Sequence, residues 1–145
     1  MGKTVQLEVL SFVQKMLLGV SIILYAVSLT QEAFSYIYQE QVETYKGWVL
    51  ALMGSTSVLG GGLLEWFIWL ANPLYLFSIM YALKREVSAL LTSSIAFGLA
   101  LSFLFWKEVL AAESGIMGPI VSRGAGYFLW VLSIFIWSVA IYWKN

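Results

Sequence analysis

The chain contains no cysteine, no histidine and no aspartate, only two prolines, and few charges for its length. Without cysteine there is neither a disulfide nor a thiolate nucleophile. Without histidine the usual proton carrier near neutral pH is missing. Together the two absences remove the common Cys/His metal sites, so no metal or cofactor is expected. Charged residues make up 11% of the 145 residues, against about 25% in an ordinary soluble domain. Eight basic residues balance eight acids, all of them glutamate, which gives no basic surface for nucleic acid.

What is present is apolar and aromatic. Hydrophobic residues are 61% of the chain and aromatic residues 17%, including seven Trp. A water-soluble fold this short has too much surface for its volume to hide that apolar excess. A lipid bilayer removes the conflict by acting as solvent for it, and Trp and Tyr favour its interfaces. The expected class is therefore an all-α, polytopic membrane protein in the lipid bilayer, with four transmembrane helices and one short interfacial or re-entrant helix.

The expected crossings are residues 9–30, 63–83, 87–106 and 124–143, each near the roughly 20 residues that a helix needs to cross hydrocarbon. In the first, Lys15 lies near one end, where its stem can reach the headgroups. A signal peptide is the rival reading, with Lys3 and Lys15 as its charged region and Ala26-Val27-Ser28 as a small-x-small site. Retention as a crossing is expected. Residues 31–46 read as an outer loop with its tyrosines resting on the interface, and residues 107–123 as a second outer loop.

Residues 47–85 are too long for one crossing and barely long enough for two. Gly60-Gly61-Gly62 divides them, leaving residues 48–59 as the interfacial or re-entrant helix. A five-crossing chain with a hairpin at these glycines is the alternative. Charge decides between them. Four crossings place Lys3, Lys15, Lys84, Arg85 and Lys144 on one side and Lys46, Lys107 and Arg123 on the other, in the sense of the positive-inside rule. Both termini are then cytoplasmic.

Several segments carry a resemblance: Ser28-Leu29-Thr30-Gln31, Gly47-Trp48, Trp69-Leu70-Ala71-Asn72-Pro73-Leu74, Ala100-Leu101-Ser102-Phe103-Leu104, Lys107-Glu108, Glu113-x-Gly115 and Gly124-x-Gly126-Tyr127-x-Leu129-Trp130. With them the chain resembles a family of small, uncharacterised bacterial inner-membrane proteins, over most of its length from residue 28 onward. The Trp-Leu-Ala-Asn-Pro and Gly-x-Gly-Tyr-x-Leu-Trp segments are the most specific parts. The resemblance implies a bacterial cytoplasmic membrane and a four-helix plan, and no activity.

Within the chain, Trp69-Leu70-Ala71-Asn72-Pro73 carries the most information. Pro73 has no N–H and clashes with the carbonyl of Trp69 four residues back. At membrane depth that carbonyl needs another partner, and the Asn72 side chain can supply one or bond a neighbouring helix. Glu65, Trp69 and Asn72 fall at i, i+4 and i+7 on one helical face. The sharp reading is an intramembrane polar or cation site. The bland reading, which is preferred, is a structural kink with Glu65 lying shallow and paired with Arg123 or water.

The third crossing bears a stripe of small residues, Ala89, Ser93, Ala96 and Ala100, suited to close helix packing inside one protomer or to a homo-oligomer seam. Gly124 and Gly126 follow no strand and lack a phosphate-loop pattern; they suit close approach at the start of the last crossing. No residue pairing suggests nucleophilic catalysis, so an enzyme is not expected. Two roles remain in front. The first is a non-enzymatic accessory, immunity or assembly subunit acting through helix contacts, in a homo-oligomer or a larger membrane complex. The second is an oligomeric channel or small transporter using Glu65 and Asn72. An enzyme acting on lipid ranks last.

Overall fold

The computed structural model describes residues 6–112 and 115–143; Lys3, Glu113 and Lys144, used in reading the charge balance and the outer loop, lie outside the described residues. The first helix, α1 (Phe12–Thr30), begins where Ser11 caps it. Ser11 Oγ accepts from the Gln14 amide at 3.2 Å and Gln14 Oε1 accepts from the Ser11 amide at 2.8 Å, so two amides at the helix start are satisfied together. The other end of the same side chain donates to the carbonyls of Ala140 and Trp143, both at 3.0 Å, and ties α1 to the close of the last helix.

The chain then forms two strands, β1 (Glu32–Tyr38) and β2 (Gln41–Lys46), followed by α2 (Gly47–Met53), which continues as a 3₁₀ turn through Gly60. Next come α3 (Leu63–Trp69), α4 (Ala71–Leu83) and α5 (Ser88–Ser102), the last extended by a 3₁₀ turn to Phe105. Two further strands, β3 (Glu108–Ala112) and β4 (Ile116–Arg123), lead into α6 (Ala125–Tyr142). Four helical stretches are long and apolar enough to cross a membrane: Phe12–Thr30, Leu63–Leu83, Ser88–Phe105 and Ala125–Tyr142. Gly47–Gly60 is apolar but shorter.

An all-α fold is overturned. The chain is 65% helical and 21% strand, with an antiparallel half-barrel sheet in the order β2-β1-β4-β3. The two segments read as outer loops are its two hairpins. Their strand signal is the alternation in β1: Phe34 and Tyr36 are buried and Tyr38 half-buried, while Ile37 between them is exposed. The tight turn between β1 and β2 has positive φ at Gln39 (49°) and Glu40 (64°), positions where glycine or asparagine normally announces a hairpin. Here neither does. Each hairpin alone would be marginal. What stabilises them is the β1–β4 seam, in which Phe34 pairs with Arg123 and Ser35 with Ser122 across most of the chain.

That seam extends a helix pair. α1 packs along α6, and β1 and β4 grow directly out of their adjoining ends. Gly124 donates to the carbonyl of Ala33 at 2.8 Å. A Cβ on Gly126 would come within 2.8 Å of the Glu32 carbonyl oxygen, and one on Gly124 would collide with the same atom. These two glycines therefore allow α6 to start against the backbone at the end of α1. At the opposite end, residue 6 bridges to Glu86 and Leu7 donates to the Arg85 carbonyl at 2.9 Å, so the first described residues and the turn between α4 and α5 share the face away from the sheet.

The helical core is built on small residues. Ala89, Ser93, Ala96 and Ala100 of α5 are completely covered, facing α4 and α6 within this chain. Tyr75, Ile134, Trp137 and Ile141 fill the space beside them. A second cluster lies under the sheet, where Phe34, Tyr36, Phe103, Val109 and Tyr127 are buried together. Outward faces are apolar: Phe12 is 77% exposed and Leu91 64%.

Candidate functional site

A cavity of about 560 Å³ lies between the sheet, the short helix α2 with its 3₁₀ extension, and α3. It is formed because Gly47–Gly60 folds back against the chain. Gly47 donates to the Gln31 carbonyl at 2.9 Å, which fixes α2 to the end of α1. Gly54 faces the Trp69 ring so closely that any Cβ would collide with it. Trp69 Nε1 donates to the Ala51 carbonyl at 2.9 Å and holds the short helix against α3. Ser55, Thr56 and Ser57 return their hydroxyls to the carbonyls of Leu52, Met53 and Gly54 at 2.8 to 3.0 Å. These back-bonds let a polar run sit in an apolar setting. The turn ends at Gly61, whose φ of 90° favours glycine.

Three of the residues singled out in the sequence meet here. Glu65, Trp69 and Asn72 all line the cavity. Pro73 and Arg123 do not. Pro73 sets the break: α3 ends at Trp69, Leu70 separates it from α4, and the Trp69 carbonyl accepts from Asn72 Nδ2 at 3.1 Å. Asn72 also works on its other side. Its Oδ1 accepts from Tyr25 Oη and from Trp130 Nε1, each at 2.9 Å, so one side chain links α1, α4 and α6 at the cavity floor.

Glu65 and Arg123 take separate partners. Glu65 Oε1 accepts from the Leu110 amide at 2.8 Å and fastens β3 to α3. Arg123 donates through Nη2 to the carbonyls of Phe103 and Trp106, the first at 3.0 Å. Its guanidinium lies 5.5 Å from the centroid of the Phe103 ring. Arg123 thus closes the end of the α5 extension behind a cavity wall that Phe103 and Trp106 help to form.

The wall is otherwise apolar and aromatic, with Leu50, Ile68, Val109 and Leu110 prominent. Tyr25, Trp130 and Phe103 are the residues that local reading could not assign to the site. Trp130 reads in sequence as an interface ring near one end of a crossing, and nothing in the sequence aims its N–H at Asn72. Among the described residues no buried side-chain N or O lacks a hydrogen-bond partner, and no group of three His, Cys, Asp or Glu could hold a metal ion. Tyr36, packed under the sheet at the edge of this region, has its hydroxyl pKa pushed well above the usual 10.0, first by burial and then by its hydrogen bond to Tyr45.

Comparison of the chain with protein-family models, with curated proteins and with solved structures gives no match. The functional reading rests on the residues themselves.

Proposed function

We propose that this chain is a non-enzymatic integral membrane protein of a bacterial inner membrane, an accessory or assembly subunit that works by binding. Both termini lie in the cytoplasm and the half-barrel sheet stands on the outer side. The positive-inside sense supports this orientation, since Lys15, Lys84 and Arg85 gather at the end away from the sheet.

The observation that carries the reading is how the polar groups within the helices are used. Asn72 bonds Tyr25, Trp130 and the Trp69 carbonyl. Ser21 bonds Tyr75 and the Ser133 carbonyl, each at 2.7 Å, and Trp137 donates to Ser78 at 2.7 Å. Such groups join helix to helix. Catalysis instead requires side chains directed at a substrate in mutual reach, nucleophile to base. The small-residue stripe is already covered inside the chain, so a homo-oligomer or larger complex would use the exposed apolar faces or the sheet.

The test is affinity purification in mild detergent followed by size measurement. The reading predicts a stable self-assembly or a defined membrane partner; recovery of a lone monomer would count heavily against it. A second reading, an oligomeric channel or small transporter, is favoured by one feature: the helix broken between Trp69 and Ala71 beside a cavity. Reconstituted vesicles would show ion flux sensitive to Glu65→Gln and Asn72→Ala if that reading holds.

A further inference from the structure

We propose that the cavity is a binding site for one hydrocarbon chain of a membrane amphiphile whose head is a hydrogen-bond donor, a hydroxyl or an amine, seated at Glu65. The proposal rests on the membrane reading above and names the ligand class of the cavity.

Size comes first. Protein interiors pack to crystal density with few voids larger than a water molecule, and about 560 Å³ of space falls within the roughly 300–1,000 Å³ typical of small-molecule sites. Its lining decides against bulk water. Leu50, Ile68, Phe103, Trp106, Val109 and Leu110 offer rings and alkyl groups. An apolar cavity holds apolar guests in preference to water.

Position then selects the guest. The outer wall is Gly47–Gly60, an apolar stretch shorter than a crossing, whose far side exposes Trp48 and, at 68%, Leu52. In a bilayer this wall separates the cavity from hydrocarbon, so lipid chains are the guests at hand. Glu65 and Asn72 are seven residues apart on the lining, roughly 10 Å along a helix axis, which gives the site two distinct levels.

Chemistry orients the guest. At the floor, both acceptor directions of Asn72 Oδ1 are taken by Tyr25 and Trp130, and its amide serves the Trp69 carbonyl. Glu65 is different. It is half-buried, and its Oε1 accepts the Leu110 amide. An ionised carboxylate has about four acceptor positions and no donor, so it welcomes a hydroxyl or an ammonium and repels a carboxylate or phosphate. The head therefore sits at Glu65 and the chain runs along Trp69.

The probe is hexadecanol carrying a photoactivatable diazirine in its chain, with the matching fatty acid as comparison, added to the purified full chain in nanodiscs. Cross-links mapped by mass spectrometry are expected on Leu50, Trp106, Val109 and Leu110, at least tenfold above those on the outward-facing Phe12 and Leu91. The alcohol should label the cavity several-fold better than the acid, and Glu65→Gln should remove most of that preference while chain labelling persists. Leu50→Trp and Ala111→Trp, at two positions that line the cavity, fill the space and should each reduce cavity labelling tenfold without affecting Phe12. Competition by unlabelled hexadecanol or by a polyprenol tells an acyl-type from an isoprenoid-type chain. Cavity labelling no higher than at Phe12 and Leu91 overturns the site. Equal labelling by acid and alcohol in the unaltered protein overturns the head assignment. Protein that inserts into nanodiscs and still shows neither leaves the membrane reading standing and removes this one.

Discussion

At the scale of single residues, Asn72 is the most connected polar side chain at the cavity. It meets two donors with one oxygen and one carbonyl with its nitrogen. Replacing it with leucine of similar bulk leaves the Tyr25 hydroxyl, the Trp130 N–H and the Trp69 carbonyl without their partner. Each unsatisfied buried group costs about 1–3 kcal/mol, while single polar contacts between membrane helices average about 0.6 kcal/mol. Because three groups are orphaned together, Asn72→Leu is expected to lower stability by about 2 kcal/mol in reversible unfolding from mixed micelles. Tyr25→Phe, which removes one donor cleanly, should cost under about 1 kcal/mol. Tyr36 gives a pH dependence. Its hydroxyl is harder to ionise in the folded chain than in the unfolded one, whose value is near 10.0, because burial and then the Tyr45 bond favour the neutral form. The folded state thus keeps its proton where the unfolded state loses it. Stability from this group is complete below pH 10 and falls as pH rises above it. Alkaline unfolding, followed by tyrosine absorbance and circular dichroism, should begin later in Tyr36→Phe than in the unaltered chain.

At the scale of elements, the α3–α4 break shows how a proline inside an apolar helix is accommodated. Pro73 withholds a donor from Trp69, and Asn72, one residue earlier, returns one. The two residues are therefore energetically coupled. Asn72→Ala should cost more with Pro73 present than in a Pro73→Ala background, where a backbone N–H can take over the Trp69 carbonyl. A double-mutant cycle read by unfolding free energy is expected to show coupling of roughly 0.5–1.5 kcal/mol. This junction was legible beforehand, since a proline's missing bond and its i−4 partner follow from the chain alone. So was the alignment of Glu65, Trp69 and Asn72, because helical spacing is local. Of the two partners expected for a shallow Glu65, Arg123 or water, Arg123 is not the one it takes. Glu65 bonds the Leu110 amide, and Arg123 caps the carbonyls that end α5.

At the scale of the whole molecule, two hairpins distant in sequence form one sheet over one end of the helices. The sheet and the α4–α5 turn stand at opposite ends of the helices, and the proposed membrane reading puts them on opposite sides. Single cysteines introduced at Gln39, in the β1–β2 turn, and at Ile116, at the start of β4, are expected to react with an impermeant maleimide from the same side of sealed inverted or right-side-out vesicles. A cysteine at Lys84 should react only from the other. Labelling of positions 39 and 84 from one side would require the crossings between them to be redrawn.

The sequence by itself determined what depends on neighbours along the chain: four stretches apolar and long enough to cross hydrocarbon, a fifth too short, a break at Pro73, and the face shared by Glu65, Trp69 and Asn72. These follow from composition and from the period of a helix. Tertiary structure alone decided that Phe34 pairs with Arg123, that Trp130 turns its N–H to Asn72, and that α2 folds back to wall a cavity. The physical reason is range. A β-ladder and an interhelical hydrogen bond satisfy backbone and side-chain groups with partners far away in sequence, and no local period records which partner that will be.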